Sequence, residues 1–491
     1  MRVRLLSRTS DLAVLQADTV AAALSARWPS LSIERLTRSS LGDRDTRVDL
    51  WQAPDKGVFT SDLSEALTAG VADAVVHSWK DLPIAGVEGT LVAGTLERAD
   101  PRDVLLIRRG TLATRPSTLT VLTSSRRRAW QLQQSVAPLL PWTVSSVETV
   151  PVRGNIPTRL TRLLDGRADA LVVAKAALDR LLSDFARAEI RAHVRQALDQ
   201  CAWMVLPLRE FPTAPAQGAL AIEVAAGQRE VLRLVQAISD APTERAVRIE
   251  RDILAGYGGG CHEAIGAAVL IRDYGVVTSV RGCLPTGESL ERWSLESTSV
   301  RPPAAPLSAI WPRPDERDFS VRRPTRDTVP VDDRGWWIAR ADALPAAVTP
   351  GETQLIWAAG ARTWHRLAAR GVWVHGSSEG LGDTEAPRIE ALAGRAVQWL
   401  RLTHTGSGDP TAFPAYAVDT RFPEDLGART HFYWTSGSAF RAAVARYPTI
   451  GRGWHACGPG RTSLAVRNGI GDASRVSIWL DYEQWLTHVT K

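Results

Sequence analysis

Lysine is almost missing from this chain of 491 residues. Only Lys56, Lys80, Lys175 and Lys491 stand among 59 basic residues, and the other 55 are arginine. A lysine kept against that background points to a contact that needs a compact, rotatable ammonium, because the two cations are not interchangeable at close range. Lys56 and Lys80 are the informative pair; Lys491 is terminal, and Lys175 reads as incidental. Cysteine is scarce as well. Cys201, Cys261, Cys283 and Cys457 form no C-x-x-C pair, which excludes a zinc knuckle, a thioredoxin-type dithiol and a disulfide framework. No apolar run is long enough to cross a bilayer. No basic tail or K/R-rich block accompanies the net charge of +6, so nucleic acid is not an expected partner. The start, MRVRLLSRTS, lacks the apolar stretch and cleavage site of a signal peptide, so a cytoplasmic location is expected. The oligomeric state is not legible in the sequence.

What is present is an ordinary globular balance, 44% apolar and 23% charged, at a length that calls for three or four domains. Residues 3–7 read as a strand, followed by a helix with Ser10 as N-cap and Val20, Leu24 and Trp28 on one face. A helix over Ser61–Gly70 leads into a strand at Ala72–Val76. The phrase Gly70-Val71-Ala72-Asp73-Ala74-Val75-Val76 returns as Gly166-Arg167-Ala168-Asp169-Ala170-Leu171-Val172, each time after a helix-like stretch. Two similar α/β domains are therefore expected. Leu119–Leu122 reads as a strand and residues 243–256 as an amphipathic helix. Seven prolines between 301 and 330 suggest an irregular connection, and 11 of the 18 tryptophans follow residue 300. Beyond it, short strands at Leu355–Ala358, Val372–His375, His431–Thr435 and Val476–Leu480 alternate with helices, which predicts a further α/β domain that folds separately.

Four features carry chemistry. His77-Ser78-Trp79-Lys80-Asp81-Leu82-Pro83 ends a strand, where open α/β sheets place ligands, and an aspartate there can protonate a leaving amine or balance a cation. Arginines sit at turns rich in hydroxyl and amide side chains: Arg8 beside Ser10, Arg127 and Arg128 after Ser124-Ser125, and Arg153 and Arg159 around Gly154-Asn155. Such turns combine helix N-termini with bidentate guanidiniums and suit a polyanionic small molecule. Cys261 follows Gly258-Gly259-Gly260 on a loop that suits a covalent attachment. Gly376-Ser377-Ser378-Glu379-Gly380 fits the nucleophile-elbow pattern, but Leu381-Gly382-Asp383 continues as a turn where the elbow requires a helix.

Taken in order, Ser7-Arg8-Thr9-Ser10, Lys56-Gly57-Val58-Phe59, His77–Pro83, Thr123-Ser124-Ser125-Arg126-Arg127-Arg128, Arg153-Gly154-Asn155-Ile156-Pro157-Thr158-Arg159, Ala216-Gln217-Gly218-Ala219 and Gly259-Gly260-Cys261 make the first 300 residues resemble porphobilinogen deaminase, also called hydroxymethylbilane synthase. The resemblance implies a porphyrin-pathway transferase that joins four porphobilinogens into a linear tetrapyrrole on a dipyrromethane primer. It implies two hinged α/β domains like those of periplasmic binding proteins and a small α+β domain carrying the cofactor through a thioether to Cys261. Asp81 matches the catalytic aspartate. Lys56, Ser78, Lys80, Ser125, Arg127 and Arg128 match cofactor contacts. Arg8, Ser10, Arg153, Arg159 and Arg180 match substrate contacts; no metal is implied. Trp79, Gln52 and His262-Glu263 depart from the family's usual residues. The implied boundaries are 1–100 with 196–218, 101–195, 219–300 for the cofactor domain, a proline-rich connection at 301–348, and 349–491.

That last region resembles uroporphyrinogen-III synthase through Tyr433-Trp434-Thr435-Ser436-Gly437-Ser438-Ala439-Phe440 and Cys457-Gly458-Pro459-Gly460-Arg461-Thr462-Ser463. Thr435, Ser436, Ser438, Gly458 and Thr462 are the residues the resemblance points to, in a domain shorter than the full synthase. The alternative reading of the whole is a non-catalytic two-lobed anion-binding or sensor protein, which needs the arginine turns but not Asp81 together with Cys261.

Overall fold

The computed structural model describes residues 1–39, 61–258, 264–317 and 319–491. Two five-stranded mixed sheets of matching topology come first. One holds β1 (Arg2–Arg8), β2 (Ser32–Arg38), β3 (Ala74–Ser78) and β4 (Thr90–Gly94). The other holds β5 (Asp103–Arg108), β6 (Thr118–Leu122), β7 (Ser146–Val150), β8 (Ala170–Ala174) and β9 (Cys201–Val205). The chain then returns to the first sheet as β10 (Leu220–Ala225). The strand orders are β2-β1-β3-β10-β4 and β7-β6-β8-β5-β9. The sequence repeat falls on β3 and β8, which occupy the same place in each sheet. Gly70 and Gly166, before these strands, adopt φ +69 and +78, a left-handed turn that glycine enters without Cβ strain.

Each sheet is buried by helices whose ends are readable in the sequence. Ser10 caps the helix Asp11–Arg27 by accepting from the Ala13 N–H, and Leu15, Ala17, Val20 and Leu24 turn inward. Trp28 is the C-cap, one residue past the helix, and packs against the cluster that holds Val20 and Leu24, the expected face. Asn155 caps Ile156–Leu164 and Ser125 caps Arg126–Ser135 in the same way.

The boundaries shift at the two crossings between these units. Residues 201–205, expected in the first unit, pair antiparallel with β5 in the second. Residues 220–225, expected in the third, pair with β3 and β4 in the first. Hydrophobic runs show that a strand exists but not which sheet receives it, and here two adjacent runs go to opposite sheets. The third unit is the antiparallel sheet β11 (Ala264–Arg272), β12 (Gly275–Cys283) and β13 (Ser289–Ser297), packed against the helix Ala241–Gly256.

The stretch 301–348 is irregular for much of its length, but it is more than a connection. It supplies β14 (Ile310–Trp311), β15 (Ser320–Pro324) and β16 (Gly335–Ile338). The prolines fit because only Pro324 lies in a strand, as the last residue of the edge strand β15, where a missing N–H costs little; the others fall outside the strands. With β17 (Ile356–Ala358), β18 (Gly376–Ser377), β19 (Trp399–His404) and β20 (Phe413–Thr420), β15 and β16 build a six-stranded sheet in the order β15-β20-β19-β16-β17-β18. A second sheet, β14-β21-β22-β23, adds β21 (His431–Trp434), β22 (Trp454–Cys457) and β23 (Val476–Ile478), all parallel. The C-terminal region is thus two lobes. Residues 372–375 form no strand of their own; the two-residue β18 follows them.

These lobes are packed into the rest of the molecule. One buried cluster runs from Leu105, Leu119 and Leu139 of the second unit into Trp336, Trp364 and Leu402 of the first lobe. The Trp364 indole N–H donates to Leu139 O at 3.0 Å, the Trp373 indole to Trp203 O at 3.1 Å, and Val205 N to His375 O at 2.8 Å. The second lobe shares another cluster with the third unit, where Val277 and Leu295 meet Trp311, Phe432 and Phe440. Some of the late tryptophans serve here: large, flat side chains with one polar handle, Trp364 and Trp373 fill a joint between units. No helix among the described residues is long and apolar enough to cross a membrane.

Candidate active site

A cavity of about 560 Å³ opens between the first two units. Its floor is the end of β3. Leaving Ser78, the chain makes a single tight turn over Trp79–Asp81, closed by Leu82 N to Trp79 O at 3.1 Å. Trp79 is buried against Leu82, Ala216, Ala219 and Val247 and takes no part in the cavity wall. Its departure from the family pattern therefore changes packing behind the loop. From the helix Ala241–Gly256, Arg251 grips the carbonyls of Leu82 and Pro83. With Trp79 anchored on one side and Pro83 on the other, the Asp81 side chain is left facing the cavity.

Around Asp81 the structure gathers Arg8, Ser10, Ser78, Lys80, Arg128, Arg153, Arg159 and Arg180, all in the wall of that one cavity. Ser78 exchanges hydrogen bonds with Gln16 at 2.9 and 3.2 Å, which fixes its hydroxyl. Arg180 donates to Gly218 O at 2.8 Å and Arg159 to Gly154 O at 2.8 Å, contacts that orient each guanidinium without neutralising it. Burial pushes the Arg159 and Arg180 guanidiniums down to about 10. Burial likewise pushes the Lys80 ammonium down to about 8, with Asp81 opposing the shift and Arg128 adding to it. The cavity thus holds cations short of counter-charge, the state a polycarboxylate relieves.

Two expected contacts stand behind the wall. Arg127 is buried, bonded to Gln131, Pro212 O and Asp103. Ser125 is the helix cap, and its neighbour Ser124 lines the cavity, bonded to Val152. Lys56 and Cys261, like Gln52 and His262-Glu263, lie outside the described residues.

Asp103 and Gln217 were missed. The Asp103 carboxylate accepts from Arg128 at 3.0 and 2.7 Å, from Arg127 at 3.1 Å and from Gln217 at 2.7 Å. Gln217 also accepts from Lys80 at 3.3 Å and donates to Pro101 O at 2.8 Å. The signal for Gln217 was its place between Ala216 and Gly218, which take φ +67 and +90. A Cβ on Gly218 would lie 2.5 Å from Ala99 O, so the two crossings can touch only at glycine. Nothing in the sequence marks Asp103. Lys175, read as incidental, is fully buried and paired with Asp179 at 2.6 Å.

The C-terminal candidates lie outside this cavity, at the ends of β21 and β22. Ser436 caps the helix Gly437–Arg446, and Ser438 bonds His404 of the facing lobe at 2.8 Å. Gly458 follows β22, and Thr462 lies in the first turn of the helix Arg461–Gly469. Thr435 is exposed. Beside them Arg401 and Arg461 converge on Asp383 and Asp409, tying the lobes together. Ser378, at the centre of the elbow-like pattern, bonds the indoles of Trp337 and Trp357, and no helix follows it.

The family model for porphobilinogen deaminase, dipyromethane cofactor binding domain, matches residues 3–233. Porphobilinogen deaminase of Moorella thermoacetica is 37% identical over 306 residues, 62% of this chain and 90% of that protein. The porphobilinogen deaminase of Mycobacterium tuberculosis strain CDC 1551 / Oshkosh is 39% identical over 294 residues, 57% of this chain and 85% of that protein. The chain belongs to the porphobilinogen deaminase family. Among solved structures it is similar to the periplasmic aliphatic sulphonate binding protein SsuA from Escherichia coli, at 13% identity and TM-score 0.27, over 52% of this chain and 70% of that one. As a deaminase it is a transferase, and its cofactor is dipyrromethane; the non-catalytic sensor reading is set aside. The cavity fits that group. Each pyrrole carries two carboxylates, and Lys80, Arg128, Arg153 and Arg159 present the cations to receive them.

Proposed function

We propose that the chain joins four porphobilinogens into linear hydroxymethylbilane on a primer thioether-linked to Cys261, and that its C-terminal lobes receive the bilane as a uroporphyrinogen-III synthase. One observation carries the first part: Asp81 shares a cavity of about 560 Å³ with the cations a chain of carboxylated pyrroles requires. When bound, the dipyrromethane supplies the pyrrole carbon on which growth begins. The protein's own part is binding and charge control. Arg8, Arg153, Arg159 and Arg180 hold the acetate and propionate groups through charge-assisted hydrogen bonds. Asp81 faces the aminomethyl group, holds the departing ammonia and balances the cationic carbon left behind. Lys80 and Gln217 keep the loop and the hinge in register.

Cys261→Ser should fold and carry no covalent primer, since an alcohol is a far poorer nucleophile than a thiol at neutral pH. Intact mass checks this: wild type should exceed 53.4 kDa by the dipyrrole, and the variant should not. The same added mass on both would remove Cys261 from the role.

The synthase part rests on the hydroxyl-and-glycine turns at Thr435–Ser438 and Gly458–Thr462, placed at the C-terminal ends of parallel strands. Released bilane closes by itself to the type I isomer. The full chain given porphobilinogen is therefore expected to yield mainly type III. A product that is type I alone would defeat the synthase reading and leave the deaminase intact. Truncation near residue 330 is a poor control, because it would strip the cover from Leu119 and Leu139.

A further inference from the structure

A second cavity, of about 610 Å³, opens where the deaminase body meets both C-terminal lobes. Its first wall comes from the body: Arg98 and Arg102 on the crossing between β4 and β5, and Arg272 and Tyr274 at the β11–β12 hairpin. Its second wall is the loop after β18, with Glu379, Glu385 and Arg388. Its third is the helix Arg461–Gly469, with Ser463 and Arg467.

Five arginines line these walls with Asp100, Asp273, Glu379 and Glu385, and two of the five are left out of the pairing. Arg98 is held by Glu250 at 2.7 Å, Arg102 by Asp100 at 2.6 Å, and Arg272 by Glu385. Arg388 and Arg467 make no hydrogen bond or ion pair among the described residues, and both are exposed to the cavity mouth. Arg388 sits at φ +53, a conformation disfavoured for arginine that fixes where its side chain leaves the backbone. The Tyr274 hydroxyl is buried without a hydrogen-bond partner among the described residues. Burial pushes the Glu379 carboxyl up to about 7, so it opposes an incoming anion only in part.

The two cavities are one backbone apart. Gln217 and Gly218 line the first, Arg98 lines the second, and the Arg98 Nε donates to Gln217 O at 2.9 Å. We propose that the second cavity is a composite binding site for a long polycarboxylate, the linear bilane on the reading above, built jointly by the deaminase body and the two lobes. This rests on the proposal that the lobes receive the bilane. It adds that Arg102, Arg272 and Tyr274 of the deaminase half form one side of the receiving site, so product leaves one cavity beside the mouth of the next.

The test uses the full-length holoenzyme and uroporphyrin I, a stable fluorescent octacarboxylate. Binding is measured in an Arg153→Ala, Arg159→Ala background that weakens the first cavity. Adding Arg388→Ala and Arg467→Ala is expected to weaken uroporphyrin binding at least about tenfold, the loss of two charge-assisted contacts. Arg388→Lys with Arg467→Lys should recover part of it. Both residues are exposed, and matching thermal midpoints establish that the variants are folded. Unchanged affinity in the double alanine variant overturns the site, as does complete displacement of the probe by millimolar inorganic phosphate, which would mark a general anion site. The isomer assay separates the two proposals. Type I product with probe binding lost in the variant keeps the site and removes the synthase. Type III product with probe binding unchanged removes the site and keeps the synthase.

Discussion

Asp81→Asn should retain the covalent primer and bind porphobilinogen with nearly wild-type affinity, yet turn over at least about a hundredfold more slowly, a loss of about 2.7 kcal/mol of transition-state stabilisation. The side chain lies in the cavity wall and is held there by its neighbours. Trp79 is packed behind the loop, Arg251 grips Leu82 O and Pro83 O, and Asp81 itself is not needed to keep the turn closed. Asparagine preserves size and hydrogen bonding but carries no charge to set against a developing cation. The cations proposed to hold the carboxylates, Arg153, Arg159 and Arg180, stay where they are, so the effect should fall on kcat and leave KM nearly unchanged. Single-turnover release of ammonia from the purified holoenzyme is the measurement. Near-normal release would take Asp81 out of the reaction, and a large rise in KM with normal kcat would make it a binding residue.

The first cavity was legible to an unusual degree because its residues are concentrated at ends of local elements. Arg8, Asp81, Arg128 and Arg159 each follow a strand or open a helix, and the caps Ser10, Ser125 and Asn155 announce those helices in the sequence. The shared topology of the first two sheets was visible in the repeat before β3 and β8. What failed was long-range. Asp103 and Gln217 act across the two crossings of the chain, at positions no local periodicity marks. The adjacent strands β9 and β10 enter different sheets, and only pairing decides that.

The C-terminal region was misread for a related reason. Proline density reads as irregular chain, yet short strands form between the prolines, and Pro324 ends the edge strand β15, where proline is tolerated. The tryptophan excess was noticed without its meaning. Trp364 and Trp373 are donors to backbone carbonyls of the second unit, so part of the excess lies at a joint between units. The lobes consequently belong to the body on two sides: the first to the second unit, the second to the third unit.

The largest stability effect is expected at Asp103→Ala. The Asp103 side chain is 2% exposed and faces Arg127 and Arg128, at 6% and 10%. Burial alone would raise its carboxyl, but Arg128 and Arg127 overcome that and hold it well below the usual carboxylate range. Removing it leaves two guanidiniums side by side with no carboxylate between them, and breaking such a buried arrangement costs about 3–5 kcal/mol. Unfolding of several joined units need not be two-state, so the thermal midpoint of the holoenzyme is the quantity to follow, with a fall of roughly 10 °C expected. Arg128 would also lose the bidentate grip that aims it into the cavity, so covalent primer occupancy by intact mass should fall with it. Asp103→Asn keeps a hydrogen-bond acceptor without the charge and should lie between the two. The sign with pH follows from the lowered carboxyl. Its contribution is complete above the unfolded-state value near 4 and fades as pH drops below that, so the gap between wild type and Asp103→Asn should narrow in acid. A midpoint within two degrees of wild type, with full primer occupancy, would show that the arginine pair does not depend on Asp103.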